Sequence, residues 1–228
     1  GREEELAALD AFLEGVAETP RALVREGEAG VGKSTLWLAG IEAARERGFR
    51  VLSSRPAEAE QGLAFAGLGD LLEGVVDEVG PSLAPPRRRA LEAALLLRDG
   101  EERADPRALG VAVRNTLELL AVDEPILVAI DDVQWLDRSS SSAFSFALRR
   151  LGAPLVLVLA RRLAEGIGFS QLERVFDPDS VARLSVGPLS LGALQTLLRE
   201  RLAREFSRPT LLRIHETSGG NPFYPPAL

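Results

Sequence analysis

The sequence predicts a three-layer α/β domain, with a parallel sheet between helices, followed by the start of a helical lid. Three observations predict it. Short apolar runs alternate with stretches of helical periodicity. The first of these runs leads straight into a glycine-rich loop that opens a helix. Two later runs, residues 126–130 and 155–160, are apolar at every position, as in strands covered on both faces.

In chain order, Leu6, Leu9, Phe12, Leu13 and Val16 predict a helix over 3–18, broken by Thr19-Pro20. Residues 21–26, with Ala22, Leu23 and Val24, read as a strand running into Gly27. Leu36, Leu38, Ile41 and Ala44 mark a helix over 33–47 with Gly48 at its stop, and 49–54 reads as a second strand. The middle reads as helices over 63–79, over 87–97 after Pro85-Pro86, and over 108–122 after Asp105-Pro106. Strands follow at 125–131, at 155–160 before Arg161-Arg162, and at 181–186. Ser190 then caps a helix carrying Leu191, Leu194, Leu197, Leu198 and Leu202. The expected division is a core over 1–186 and the truncated start of a lid over 187–228.

Composition narrows the function. A chain of 228 residues buries about 70% of its extended surface, so a single core suffices without staples. The absence of Cys excludes disulfides, thiol nucleophiles and cysteine zinc sites, and one His, His215, leaves little for a histidine cluster. A net charge of −7 argues against nucleic-acid binding by this segment alone. No apolar stretch reaches a membrane span, and the start does not read as a signal peptide, so no membrane association and a cytoplasmic location are expected. The absence of Met, even at position 1, reads as an excised or processed piece. Among 27 basic residues there are 26 Arg and a single Lys, Lys33.

That lysine lies in Gly27-Glu28-Ala29-Gly30-Val31-Gly32-Lys33-Ser34, which fits G-x-x-x-x-G-K-[ST] and is followed by Thr35. A chance match in a chain of this size has a probability on the order of 1%. In such a loop, glycines at positive φ let successive N–H groups point at one anion, helped by the following helix N-terminus. Lys33 would reach the β- and γ-phosphates as a point charge and the Ser34 hydroxyl would bind Mg²⁺. A planar guanidinium does not enter such a loop in the same way.

A phosphate loop of this kind needs a carboxylate at the end of a neighbouring strand. Ile130-Asp131-Asp132 supplies two. Asp131 is expected to orient Mg²⁺ and Asp132 to polarise a hydrolytic water. Arg161 and Arg162 end the next strand on the same sheet edge, and one of them would sense the γ-phosphate; neighbours on a strand face opposite ways, and the choice stays open. Trp135 reads as a packing residue, His215 as an ordinary helix histidine, and Arg87-Arg88-Arg89 as a solvated face.

Together, Gly1-Arg2-Glu3-Glu4-Glu5-Leu6, GEAGVGKST, ILVAIDDVQWLD, LVLVLARR and SGGNPFY resemble the nucleotide-binding domain of STAND-type P-loop ATPases. Within that group the chain is most similar to large ATP-binding transcriptional regulators of the LuxR type. The resemblance implies ATP with Mg²⁺ as cofactors and ATP or ADP as the bound partner. It places Gly1, Arg2 and Pro188 near the base, and Gly27, Ala29, Gly30, Val31, Gly32, Lys33, Ser34 and Thr35 around the phosphates. It also implies ATP-dependent self-association, and DNA contact only through a helix-turn-helix outside this chain. Asp132 stands where many relatives carry Glu, and the shorter side chain implies slow turnover. The competing readings are an ATP-dependent signalling or scaffold protein not linked to DNA, a small-molecule kinase, which would need an acceptor pocket and an Arg-rich lid, and a non-catalytic module with a relic loop.

Overall fold

The computed structural model describes residues 1–14, 20–97, 105–163 and 170–223. Its helices are α1 (Glu3–Glu14), α2 (Lys33–Glu46), α3 (Ala66–Leu72), α4 (Val76–Val79), α5 (Pro85–Ala94), α6 (Pro106–Leu120), α7 (Arg138–Leu148), α8 (Leu191–Leu202) and α9 (Arg208–Ser218). The strands β1 (Arg21–Gly27), β2 (Arg50–Ser54), β3 (Ile126–Ile130), β4 (Leu155–Arg162) and β5 (Val181–Ser185) form one sheet in the order β2-β3-β4-β1-β5, and every pair is parallel. The predicted three-layer architecture is the one observed.

Strand alternation builds the layers. Ala22, Val24, Ile126, Val128, Ile130, Leu155, Leu157 and Leu159 point to one face, where α3 to α7 cover them. Leu23, Leu127, Ala129, Val156, Val158 and Ala160 point to the other, under α1 and α2. With both faces covered, β3 is buried at all five positions. The edge strand β5, by contrast, is mostly exposed. Beyond the sheet, α8 and α9 pack about a small core of their own: Leu189, Leu194, Leu198, Leu211 and Ile214. Among the described residues no helix is long and apolar enough to cross a membrane.

Several element bounds differ from expectation for identifiable reasons. The helix expected over 63–79 is broken into α3, a 3-10 turn and α4. Gly67, Gly69 and Gly74 weaken it, since each glycine in a helix costs about 0.8–1 kcal/mol relative to Ala. The helix expected from residue 87 starts at Pro85 because proline suits the first turn, and Leu96 at φ +56 marks its end. Helix α7 was not predicted, and α9, which carries the helix histidine His215, was given no bounds. Asp137 and Ser207 cap them, each accepting from the N–H three residues on. Val16 and Thr19, at the end of the first predicted helix, and Tyr224 lie outside the described residues.

One buried residue opposes the core around it. Arg25 in β1 is fully buried, and none of its guanidinium nitrogens has a hydrogen-bond partner among the described residues. Burial pulls its pKa down to about 10, opposed by the field of Asp131. Arg25→Met should therefore raise stability by no more than about 1 kcal/mol: it removes the cost of burying an unbonded guanidinium, while loss of that charge's field on the buried Asp131, which Arg55 still faces, offsets part of the gain. Denaturant midpoints of the two proteins check this, and a lower midpoint in the variant would contradict it.

Candidate functional site

The carboxyl ends of β1, β3 and β4 lie side by side, and the loops leaving them meet around one cavity of about 270 Å³. Its wall includes Gly30, Lys33, Ser34, Asp132, Arg162 and Phe223. This is the crevice outside the strand ends where parallel sheets bind ligands.

The glycine loop joins β1 to α2 without a break. Gly30 (φ +78) and Gly32 (φ +106) take the left-handed conformations expected of them. Gly27 corrects the expectation: it is not among the positive-φ glycines. A Cβ there would come within 2.6 Å of the Val186 carbonyl oxygen, so close approach excludes a side chain. Lys33 is buried and donates from Nζ to the carbonyls of Gly27 (2.9 Å) and Glu28 (2.7 Å). Burial lowers its pKa, the field of Asp132 opposes that, and Arg162 adds to the lowering. Ser34 and Thr35 follow on the first turn of α2 and line the cavity with Lys33.

Opposite the loop, Asp131 is buried and Asp132 is half-buried at φ +47, a conformation that Asp tolerates. Both Asp132 oxygens are engaged by Arg162, with Nε 3.2 Å from Oδ1 and Nη2 3.3 Å from Oδ2. Gln134 Nε2 adds a donor to Oδ1 at 2.8 Å. Arg161 points to the other face of the sheet, where it donates to Glu26 (2.6 Å), its register partner on β1, and approaches Glu173. Of the two candidate arginines, Arg162 is therefore the one at the cavity. Its guanidinium also lies 5.8 Å from the centre of the half-buried Trp135 ring.

The residues expected near a base gather behind the loop. Gly1 abuts Ala193 of α8. Arg2 donates to Glu5, to the loop carbonyl of Val31 (2.6 Å) and to the carbonyl of Gly187 (2.8 Å). Pro188 sits against Gly220. His215 has a partner that the sequence did not show, the Leu189 carbonyl at 3.0 Å, and the Leu189 N–H donates to the Gly220 carbonyl. Asn221 then reaches back and donates from Nδ2 to the loop carbonyl of Ala29 (2.8 Å), while Phe223 lies against Gly30. The segment after α9 is thus fastened to the glycine loop itself.

Sequence reasoning quoted Gly219 to Phe223 as a marker without giving it a contact, and it passed over Arg201, which lines the same cavity from α8. A Gly-Gly pair closing an amphipathic helix ahead of Asn-Pro was the available signal. For a cation, Mg²⁺ binds through one or two carboxylates together with phosphate oxygens and retained waters. The described residues hold no cluster of three or more acidic or imidazole groups, but they offer the Asp131 carboxylate at the strand end and the Ser34 hydroxyl on the cavity wall. That donor set fits a cation that arrives with phosphate, not one caged by protein alone.

The family model described as the AAA ATPase domain matches residues 1–159. No curated protein matches the chain. Among solved structures, the STAND protein with a tetratricopeptide repeat sensor from Pyrococcus horikoshii aligns with a TM-score of 0.50 at 16% identity, covering 97% of this chain and 28% of that one. The AMPPCP-bound DnaA from Aquifex aeolicus gives a TM-score of 0.50 at 16% identity, covering 95% and 56%. The Aeropyrum pernix ORC1 protein in complex with DNA gives 0.56 at 14%, covering 89% and 49%. At these identities the likeness is one of fold, and the chain spans between a quarter and just over half of those proteins.

Proposed function

The chain belongs to the AAA ATPase domain family, and from that premise we propose that it is the ATP-binding, slowly hydrolysing switch domain of a STAND-type transcriptional regulator of the LuxR type. The observation that carries the reading is one cavity in which the glycine loop, Lys33, Asp132 and Arg162 face Phe223 and Arg201 of the lid side. ATP phosphates lie along the loop N–H groups, with Lys33 on the β- and γ-phosphates. Ser34 and Asp131 would hold Mg²⁺, which would supply positive charge against that of the phosphates. Asp132 accepts a proton from the attacking water, and Arg162 meets the γ-phosphate.

Slow turnover follows from the pairing of Asp132. A base whose two oxygens are both held by Arg162 must first be released, and the move that releases it is the one that brings Arg162 to phosphate. Residues 1–186 form the catalytic core and 187–228 begin the lid. Because Asn221 and Arg2 hold the carbonyls on either side of Gly30, a loop rearranged around phosphate pulls on the lid directly. The readout is ATP-dependent self-association, and DNA is contacted through a helix-turn-helix outside this chain.

Asp132→Asn tests the assignment. The variant should bind labelled ATP within about two-fold of the unmodified chain and hydrolyse it about 10²-fold more slowly, the usual contribution of a general base. Loss of binding would show that Asp132 serves the phosphates and not the water, and an unmodified chain that binds no ATP would sink the whole reading.

A further inference from the structure

Strand register places four residues of the β-sheet in one transverse row. Arg25 pairs with Ala160 across β1 and β4. Ile130 pairs with Leu159 across β3 and β4, so one step further sets Asp131 beside Ala160. Ser54 pairs with Ile130 across β2 and β3, so the next step sets Arg55 beside Asp131, and the Asp131 N–H donates to the Ser54 carbonyl at 3.0 Å to keep the ladder in step. Arg25, Ala160, Asp131 and Arg55 thus run side by side across the sheet. The small Ala160 leaves open the space between Arg25 and Asp131.

Asp131 therefore has an arginine on each side, and the two differ in freedom. Arg25 is fully buried and has no other partner among the described residues, so it stays. The Arg55 side chain is 61% exposed, with Nε 3.6 Å from Asp131 Oδ2 and its guanidinium 5.8 Å from the Trp37 ring centre. It can leave the carboxylate and remain over the indole.

We propose that Arg55 is a positioning residue, the resident counter-cation of Asp131, which occupies that carboxylate until a metal accompanying nucleotide takes it over. The inference rests on the nucleotide reading above. Two effects follow from charge alone. Without metal, Arg55 screens Asp131 and keeps it from repelling the phosphates. With metal, Arg55 must be displaced, which offsets part of what the metal contributes. Both flatten the dependence of nucleotide affinity on Mg²⁺, by the reciprocity that links any two ligands of one site.

The test is a titration with labelled ATP, in excess Mg²⁺ and in EDTA, of the unmodified chain, Arg55→Gln and Arg55→Lys. The ratio of the two dissociation constants should rise about two- to five-fold in Arg55→Gln, the range of a partly exposed ion pair, and should return toward the original value in Arg55→Lys. A merely structural role would weaken both dissociation constants together and leave the ratio unchanged; that result overturns the proposal while the nucleotide reading stands. An unmodified chain that binds ATP in neither buffer overturns the nucleotide reading and this inference with it.

Discussion

Lys33→Ala is expected to abolish ATP binding at any concentration normally used in titration. The cavity is lined by Lys33 from the loop side, and its ammonium is the only lysine charge in the chain. Each charge-assisted hydrogen bond contributes about 1.5–3 kcal/mol, so loss of contacts to two phosphates corresponds to a fall in affinity on the order of 10²- to 10⁴-fold. The loop itself should survive, because Gly30 and Gly32 set its turn and the Gly27 and Glu28 carbonyls can turn to water. Isothermal titration with ATP, beside a thermal melt to confirm folding, checks the prediction. A folded variant with unchanged affinity would remove Lys33 from the site.

Asp137→Ala is expected to give the largest loss of stability among single changes at polar residues. The carboxylate is buried and accepts three backbone N–H groups: Phe65 (3.0 Å) and Ser140 (2.8 Å) on Oδ1, and Gly67 (3.1 Å) on Oδ2. It thereby caps α7 and ties the start of α3, 70 residues earlier in the chain, to the same point. Removing it strands two buried donors, the Gly67 and Ser140 N–H groups, and the part-buried one of Phe65. A lost cap contributes about 1–2 kcal/mol and the two long-range bonds about 1–3 more in total, so about 2–5 kcal/mol is expected. For a chain of this size that lowers Tm by roughly 4–20 °C. Asp137→Asn keeps one acceptor oxygen and should recover part of the loss. Differential scanning calorimetry of the three proteins decides the matter, and equal melting of all three would show that the contacts are dispensable.

These two residues also show what could be read in advance. Lys33 stood out because a phosphate loop demands fixed residue types at fixed local spacing, and a strand of five apolar residues ending in Asp131-Asp132 is equally local. Asp137 was seen only as part of a recognisable string, because its partners Phe65 and Gly67 lie far away in sequence. The helix it caps escaped notice for a related reason. Four serines in a row, Ser139 to Ser142, carry no periodicity, and the apolar face appears only with Ala143, Phe144, Ala147 and Leu148. The same limit applied to the helix expected over 63–79, where apolar residues persisted but glycines divided the backbone.

The sequence by itself determined the layered α/β fold, the glycine loop with its lysine, and the acidic strand end, because each rests on periodicity or on neighbours a few residues apart. The tertiary structure decided which arginine of the Arg161-Arg162 pair meets Asp132, why Gly27 must be glycine, and that Arg25 and Arg55 flank Asp131 in one row. All three depend on register between strands distant in the chain, where a slip of one residue would turn every side chain to the opposite face.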